Sequence, residues 1–119
     1  MIGIFDSGSG GLSVLREIIK LLPEESYVYY ADNANCPYGE KSLPFIQDRS
    51  RAITEFLLSR GARIIVVACN TATSAAIRIL REKYADMPVI GIEPALKPAV
   101  HAGGHPRVLV MATPMTLRE

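Results

Sequence analysis

The sequence predicts an α/β fold, a doubly wound three-layer sandwich built on a mainly parallel sheet. Three observations carry this. Short apolar runs at 1–5, 27–31, 64–68, 89–92 and 107–112 alternate with helical segments along the whole chain. The runs are mostly continuous rather than alternating, as expected of strands covered on both faces by helices. Polar, loop-forming residues gather directly after the first three runs, and open parallel sheets bind ligands at the carboxyl ends of their strands.

The elements follow in order. Met1 to Phe5 is an apolar run ending at Asp6, and the loop SGSGG follows. Leu12, Leu15, Ile18, Ile19 and Leu22 recur at helical spacing, and Pro23 ends that helix. Tyr27 to Ala31 reads as the second strand, ending at Asp32, with the long polar loop DNANCPYGEKSLP after it. Phe45 to Arg60 is amphipathic, with Ile46, Ile53, Phe56 and Leu57 on one stripe and Gly61 as its C-cap. Ile64 to Ala68 is the third strand and Thr71 to Tyr84 the third helix. Val89 to Ile92 reads as a fourth strand, Glu93-Pro94 opens a helical segment to about Ala102, and Arg107 to Ala112 reads as a fifth strand before a turn at Thr113. The chain stops after TPMTLRE, where a new helix is expected, so it reads as ending mid-fold.

Composition narrows the function classes. A chain of 119 residues with net charge +1 fits one compact domain or part of a larger one. Near-neutral charge offers no electrostatic basis for binding nucleic acid or an acidic membrane surface, so neither is expected as a partner. No apolar run approaches the roughly 20 residues of a spanning helix. No secretory signal is visible, so a cytoplasmic setting with reduced thiols is expected. Cys36 and Cys69 are far apart and form no CxxC pair, and His101 and His105 have no cysteine close by, so no metal site is expected.

The candidate chemistry lies in three loops. If the strand order begins 2-1-3, the loops after strands one and three flank the crevice where the order reverses. They carry Asp6-Ser7 and Cys69-Asn70-Thr71, with Cys36-Pro37-Tyr38-Gly39 next door. Cys69 stands where a strand hands over to a helix, and the helix N-terminus favours a thiolate. That effect is worth up to about 1 kcal/mol, or roughly 0.7 pKa unit, so from about 8.5 the thiolate stays a minority at neutral pH. No histidine or lysine adjoins the thiol, and an ionised Asp6 nearby would oppose the thiolate. This suits a thiol that moves a proton; a small buried residue at a tight strand end is the plainer alternative. The loop Gly8-Ser9-Gly10-Gly11-Leu12-Ser13 has serine where a dinucleotide fingerprint has its third glycine, and no GK[ST] follows. It is either an anion site or a turn that lets the first helix pack closely. Taken alone, Asp6 could instead cap that helix, Tyr38 could be a turn aromatic packing on the loop, and Glu93 reads as an N-terminal helix charge in preference to a catalytic acid.

Taken together, IGIFDSGSGGLSVL, ADNANCPYGEKS, VVACNTATSAA and VIGIEPALKPAV, in this order and spacing, resemble the glutamate racemases of the cofactor-independent aspartate/glutamate racemase superfamily. The resemblance covers nearly the whole chain. It implies an isomerase that interconverts L- and D-glutamate and supplies D-glutamate for peptidoglycan, and so for cell-wall biogenesis and cell shape, with no pyridoxal phosphate, metal or other cofactor. Two cysteines on opposite faces of the substrate exchange the Cα proton. Cys69 corresponds to the first catalytic thiol. The resemblance assigns Asp6 to the catalytic site and implies that it contacts substrate together with Ser7. Pro37, Tyr38 and Gly39 correspond to the family's PYG motif, which lines the pocket, and the resemblance implies Asn70 and Thr71 as substrate ligands.

The departure is in length. The family has a second lobe of similar fold, with its own cysteine followed by threonine and histidine, and this chain carries no such half. Residues 1–119 are therefore expected to be an N-terminal lobe of a two-lobed racemase fold, holding only the first catalytic cysteine. The N-terminal extension of members activated by a cell-wall precursor is also missing, so no such activator site is expected. An isolated lobe with a bared interface is expected to self-associate, as a homodimer or otherwise, and its DNANCPYGEKS loop to be its most mobile part. A racemase for aspartate or a related amino acid, a phosphate-binding module and a non-catalytic interaction module are the alternatives.

Overall fold

The computed structural model describes residues 1–93, 96–104 and 107–118. Four strands, β1 (Ile2–Asp6), β2 (Tyr27–Ala31), β3 (Ile64–Val67) and β4 (Val89–Gly91), form one parallel sheet in the order β2-β1-β3-β4. The helices are α1 (Leu12–Leu21), α2 (Leu43–Ser59), α3 (Asn70–Lys83), α4 (Leu96–Val100) and α5 (Pro114–Arg118), with 3₁₀ turns at Asn33–Asn35 and Tyr38–Glu40.

The chain leaves β1 toward one edge of the sheet and then crosses back to build the other. Right-handed connections that run in opposite directions place their helices on opposite faces. Accordingly, α1 lies on one face, where Val14, Leu15 and Ile18 pack against Ile2, Ile4, Val66 and Ala68. On the other face α2 and α3 set Ile46, Ile53, Leu57, Ala72, Ala76 and Leu80 against Phe5, Ile65 and Val67. Successive residues of β1 and β3 thus enter different cores, which is why these runs are apolar without alternation.

Local signals account for the helix ends. Ser42 caps α2, its hydroxyl accepting from the Phe45 amide at 3.3 Å, and Pro44 stands in the first turn, so α2 starts two residues before the expected Phe45. Gly61 follows its end at φ +99°, the left-handed conformation expected of a C-cap glycine.

Several expectations are corrected. Residues 107–112 form no strand; Leu109 and Met111 are 85% and 87% exposed, so no layer covers the side chains that would make this run a buried strand. The fourth helix spans only Leu96–Val100, while Pro94, named as its opening, and His105 lie outside the described residues. On and just after α1, Leu12, Ile19 and Leu22 stay exposed, because the side of the helix packed on the sheet is the partly buried Val14, Leu15 and Ile18. Phe56 likewise faces outward on α2 and meets the Tyr30 ring edge-on at 5.5 Å between centroids, and Ser50 and Thr54 take buried places on that helix.

The DNANCPYGEKS loop, expected to be the loosest part, is tied down at two points. Asp32 and Tyr38 are 3% and 1% exposed. The Asp32 carboxylate accepts a bidentate pair from Arg49 Nε and Nη2, both at 2.9 Å, together with bonds from the Tyr38 hydroxyl and, at 3.0 Å, Asn35 Nδ2. Among the described residues no helix is long and apolar enough to cross a membrane.

This clamp predicts an acid limb of stability. Burial works to raise the Asp32 pKa, but the bonds from Arg49, Tyr38 and Asn35 and the Arg49 charge hold it below the ordinary carboxylate value. A lowered folded-state pKa contributes stability that is fully present above the unfolded value of about 3.9 and is lost as pH falls through the folded value. Chemical denaturation from neutral pH down to about pH 2.5 should show this loss, and Asp32→Asn should flatten it. At neutral pH Asp32→Ala should cost on the order of 3 kcal/mol, the low end for a broken buried pair, because the Arg49 side chain stays 29% exposed.

Candidate active site

Parallel pairing sets Phe5 of β1 opposite Val67 of β3, and the Ala68 amide continues the ladder by donating to Phe5 O at 2.8 Å. The loops after the two strands therefore emerge side by side. This is the point where the strand order reverses, the usual place for a ligand crevice. The assumed 2-1-3 start of the order is the one found.

Asp6 ends β1 and is 7% exposed. Its Oδ1 accepts from the Ser7 amide and its Oδ2 from the Gly11 amide, both at 2.7 Å. The carboxylate thus takes up two N–H groups of the SGSGG loop and sets an acidic group at the start of α1, which counts against a phosphate held there. Gly11 must be glycine for a steric reason. A Cβ there would stand 2.8 Å from the Tyr29 hydroxyl oxygen and 3.0 Å from the Cβ atoms of Asp6 and Ala68. The Tyr29 hydroxyl donates to Gly8 O at 2.8 Å, and burial, reinforced by the Asp6 charge, pushes its pKa up to about 12.

Cys69 is the N-cap of α3. Its sulfur accepts from the Ala72 amide at 3.4 Å and lies 3.9 Å from Ser7 Oγ, which lies 3.4 Å from Asp6 Oδ1. The residue is 8% exposed. Burial is the largest influence on its thiol and raises the pKa; the Asp6 charge adds to this, and the bonds from Ala72 and Ser7 do not offset it. The pull of the helix terminus, which taken alone lowers the value, is outweighed, and the resting form is the thiol.

A cleft of about 590 Å³ opens beside the sulfur, lined in part by Asp6, Ser13, Cys69, Asn70, Thr71 and Thr113. Asn70 is exposed and Thr71 buried. Thr71 Oγ1 lies 2.8 Å from Thr113 Oγ1, which is 3.2 Å from Thr116 Oγ1. Among the described residues this lining contains no lysine, arginine or histidine.

The structure brings Asp6, Ser7, Cys69, Asn70 and Thr71 together. Pro37, Tyr38 and Gly39 do not line the cleft. Pro37 is exposed, and Tyr38 is buried with its hydroxyl turned to Asp32. Gly39 touches the lining from behind, since a Cβ on it would stand 2.8 Å from Thr113 Cγ2. Glu93 belongs to a different cavity of about 830 Å³, with Leu43, Gln47, Arg78 and Leu117. Cys36 is exposed. Sequence reading missed Thr113 and Thr116 as cleft residues; their turn was recognised, but the run before it was taken for a strand. It also missed the Asp32–Arg49 pair, since no local pattern joins residues 17 positions apart.

Comparison with known proteins identifies the family and matches the fold. The sequence pattern of the Asp/Glu/Hydantoin racemase family matches residues 2–119. The chain is 56% identical over 118 residues to a glutamate racemase of Clostridium novyi, covering 99% of this chain and 46% of that protein. It is 55% identical to one of Halothermothrix orenii, with the same coverage. The chain thus spans about half the length of the curated relatives it matches. Among solved structures, Francisella tularensis glutamate racemase in complex with D-glutamate superposes with TM-score 0.82 at 36% identity, covering 98% of this chain and 44% of that one. Escherichia coli glutamate racemase, in complex with L-glutamate and the activator UDP-MurNAc-ala, gives TM-score 0.80 at 48% identity, covering 87% and 39%. With a match over residues 2–119 and 56% identity across nearly its full length, the chain belongs to the Asp/Glu/Hydantoin racemase family.

Proposed function

We propose that residues 1–119 are the N-terminal lobe of a cytoplasmic glutamate racemase that supplies D-glutamate for peptidoglycan, with Cys69 as the thiol on one face of the substrate. The observation that carries this reading is a buried thiol at the strand-order reversal, in a cleft of neutral donors, joined through Ser7 to the Asp6 carboxylate.

As an acid, the Cys69 S–H returns a proton to the substrate Cα. As a base, the sulfur must first lose that proton, and the Ser7 hydroxyl and Asp6 Oδ1 provide a path for it. Asn70, Thr71, Thr113 and Thr116 offer uncharged donors to the α-carboxylate, which takes on more negative charge as the Cα–H bond breaks. One thiol serves one face only, so inversion requires a second acid on the opposite face, from protein beyond this chain. The PYG turn supports the lining through the contact of Gly39 with Thr113, while the Tyr38 phenol is turned away to Asp32. Two structural relatives bound to glutamate favour glutamate over aspartate as the substrate.

The direct test joins this chain to the remainder of the Clostridium novyi relative and follows glutamate by circular dichroism. Racemisation is expected, and Cys69→Ser should abolish it while Cys36→Ser retains most of it. Normal turnover by the Cys69→Ser chimera would refute the assignment.

In the chain itself, alkylation mapped by mass spectrometry should modify exposed Cys36 first. The Cys69 reaction should rise with pH through a midpoint above the ordinary thiol value of about 8.5, in keeping with its raised pKa. A Cys69 that reacts first at neutral pH would contradict the raised value. Analytical ultracentrifugation over a concentration series should also show self-association, because Leu109, Met111 and Leu117 are 85%, 87% and 60% exposed. A single monomeric species throughout would count against the bared-interface reading.

A further inference from the structure

The Asp32–Arg49 pair lies outside the cleft, and the mechanism above does not use it. Asp32 follows β2, next to β1, and its amide donates to Asp6 O at 3.0 Å, so it stands beside the site. Its carboxylate is fully occupied by Arg49, Asn35 and the Tyr38 hydroxyl. This fixes the Tyr38–Glu40 turn, and the turn has a neighbour across the cleft wall. Gly39 lies so close to Thr113 that a Cβ would stand 2.8 Å from its Cγ2 and 3.2 Å from its Cβ. Thr113 Oγ1 in turn meets Thr71 Oγ1 at 2.8 Å inside the cleft. The contacts are continuous from Asp32 through Tyr38 and Gly39 to Thr113 and Thr71.

We infer that Asp32 and Arg49 are positioning residues for the substrate cleft: by anchoring Tyr38 they seat Gly39 against Thr113 and thereby set the paired hydroxyls of Thr113 and Thr71 that receive a carboxylate. The inference rests on the cleft being the glutamate site. It assigns the pair a role in binding and none in moving the proton, since neither residue lines the cleft beside Cys69.

Two measurements test it. In the chain itself, Asp32→Asn, Arg49→Lys and Tyr38→Phe should each shift the amide resonances of Gly39, Thr113 and Thr71, while β3 residues such as Ile65 hold their positions. The two milder substitutions cover the case in which Asp32→Asn fails to fold. Shifts confined to residues near Asn35, Tyr38 and Arg49 would overturn the inference. In the chimera the same variants should raise KM for glutamate about tenfold with kcat changed less than about threefold, and Gly39→Ala should reproduce that split by displacing Thr113 directly. A fall in kcat at unchanged KM would also overturn it, because the pair would then act on proton transfer or on folding. An unmutated chimera that does not racemise glutamate would refute the functional reading instead, and the resonance shifts would then decide the positioning role alone.

Discussion

The pairing of β1 with β3 is the constraint on which the rest of the site depends. Asp6 and Cys69 are far apart in the chain and have no local reason to meet. A parallel register that sets Phe5 against Val67 leaves the two strands ending at one level, and both loops then leave the sheet on the same side. The register is held by burial: a slip of one residue would exchange Phe5 with Ile4 and Val67 with Val66 between the two cores, each of which is closed by different helices. The hydrophobic pattern of two strands therefore fixes the spacing of a carboxylate, a hydroxyl and a thiol.

Within that frame the thiol is set by two opposed effects. Its place at the first turn of α3 brings the Ala72 amide to the sulfur, which favours the anion. Its burial and the Asp6 charge favour the neutral form, and they prevail. Asp6 cannot move away to relieve this, because its two oxygens are held by the Ser7 and Gly11 amides. The group that opposes the thiolate is thus also the one linked to the sulfur through Ser7, and in the proposed reaction it would take the departing proton.

Much of the fold was legible in the sequence because burial on both faces leaves a direct mark in β1 and β3, and the partly covered β2 and β4 still coincide with apolar runs to within a residue or two. The same rule misreads 107–112. Val108, Leu109, Val110 and Met111 are as apolar as a strand, but composition reports only that a run could be covered, not that anything covers it. The positions of Asp6 and Cys69 were legible for a similar reason, since both residues sit where strands end. Thr113, Thr116 and the Asp32–Arg49 pair were not, because their positions follow from contacts between distant segments rather than from local periodicity.

Among the described residues the cleft lining carries no cationic side chain, and this bears on the proposed chemistry. A lysine or arginine beside Cys69 would hold a carboxylate more firmly, but it would also stabilise the thiolate, and each pKa unit of that effect is worth about 1.4 kcal/mol. A sulfur held as an anion is a ready base and has no proton to give back. A reversible exchange needs the sulfur to be acid and base in turn, so neither form can be strongly favoured once substrate is bound. Hydroxyls at Thr71, Thr113 and Thr116 and the Asn70 amide can bind a carboxylate without adding a positive charge beside the sulfur. Because such donors are weak singly, their mutual placement matters more than that of one arginine would, and this placement depends on how rigidly the neighbouring turn is held.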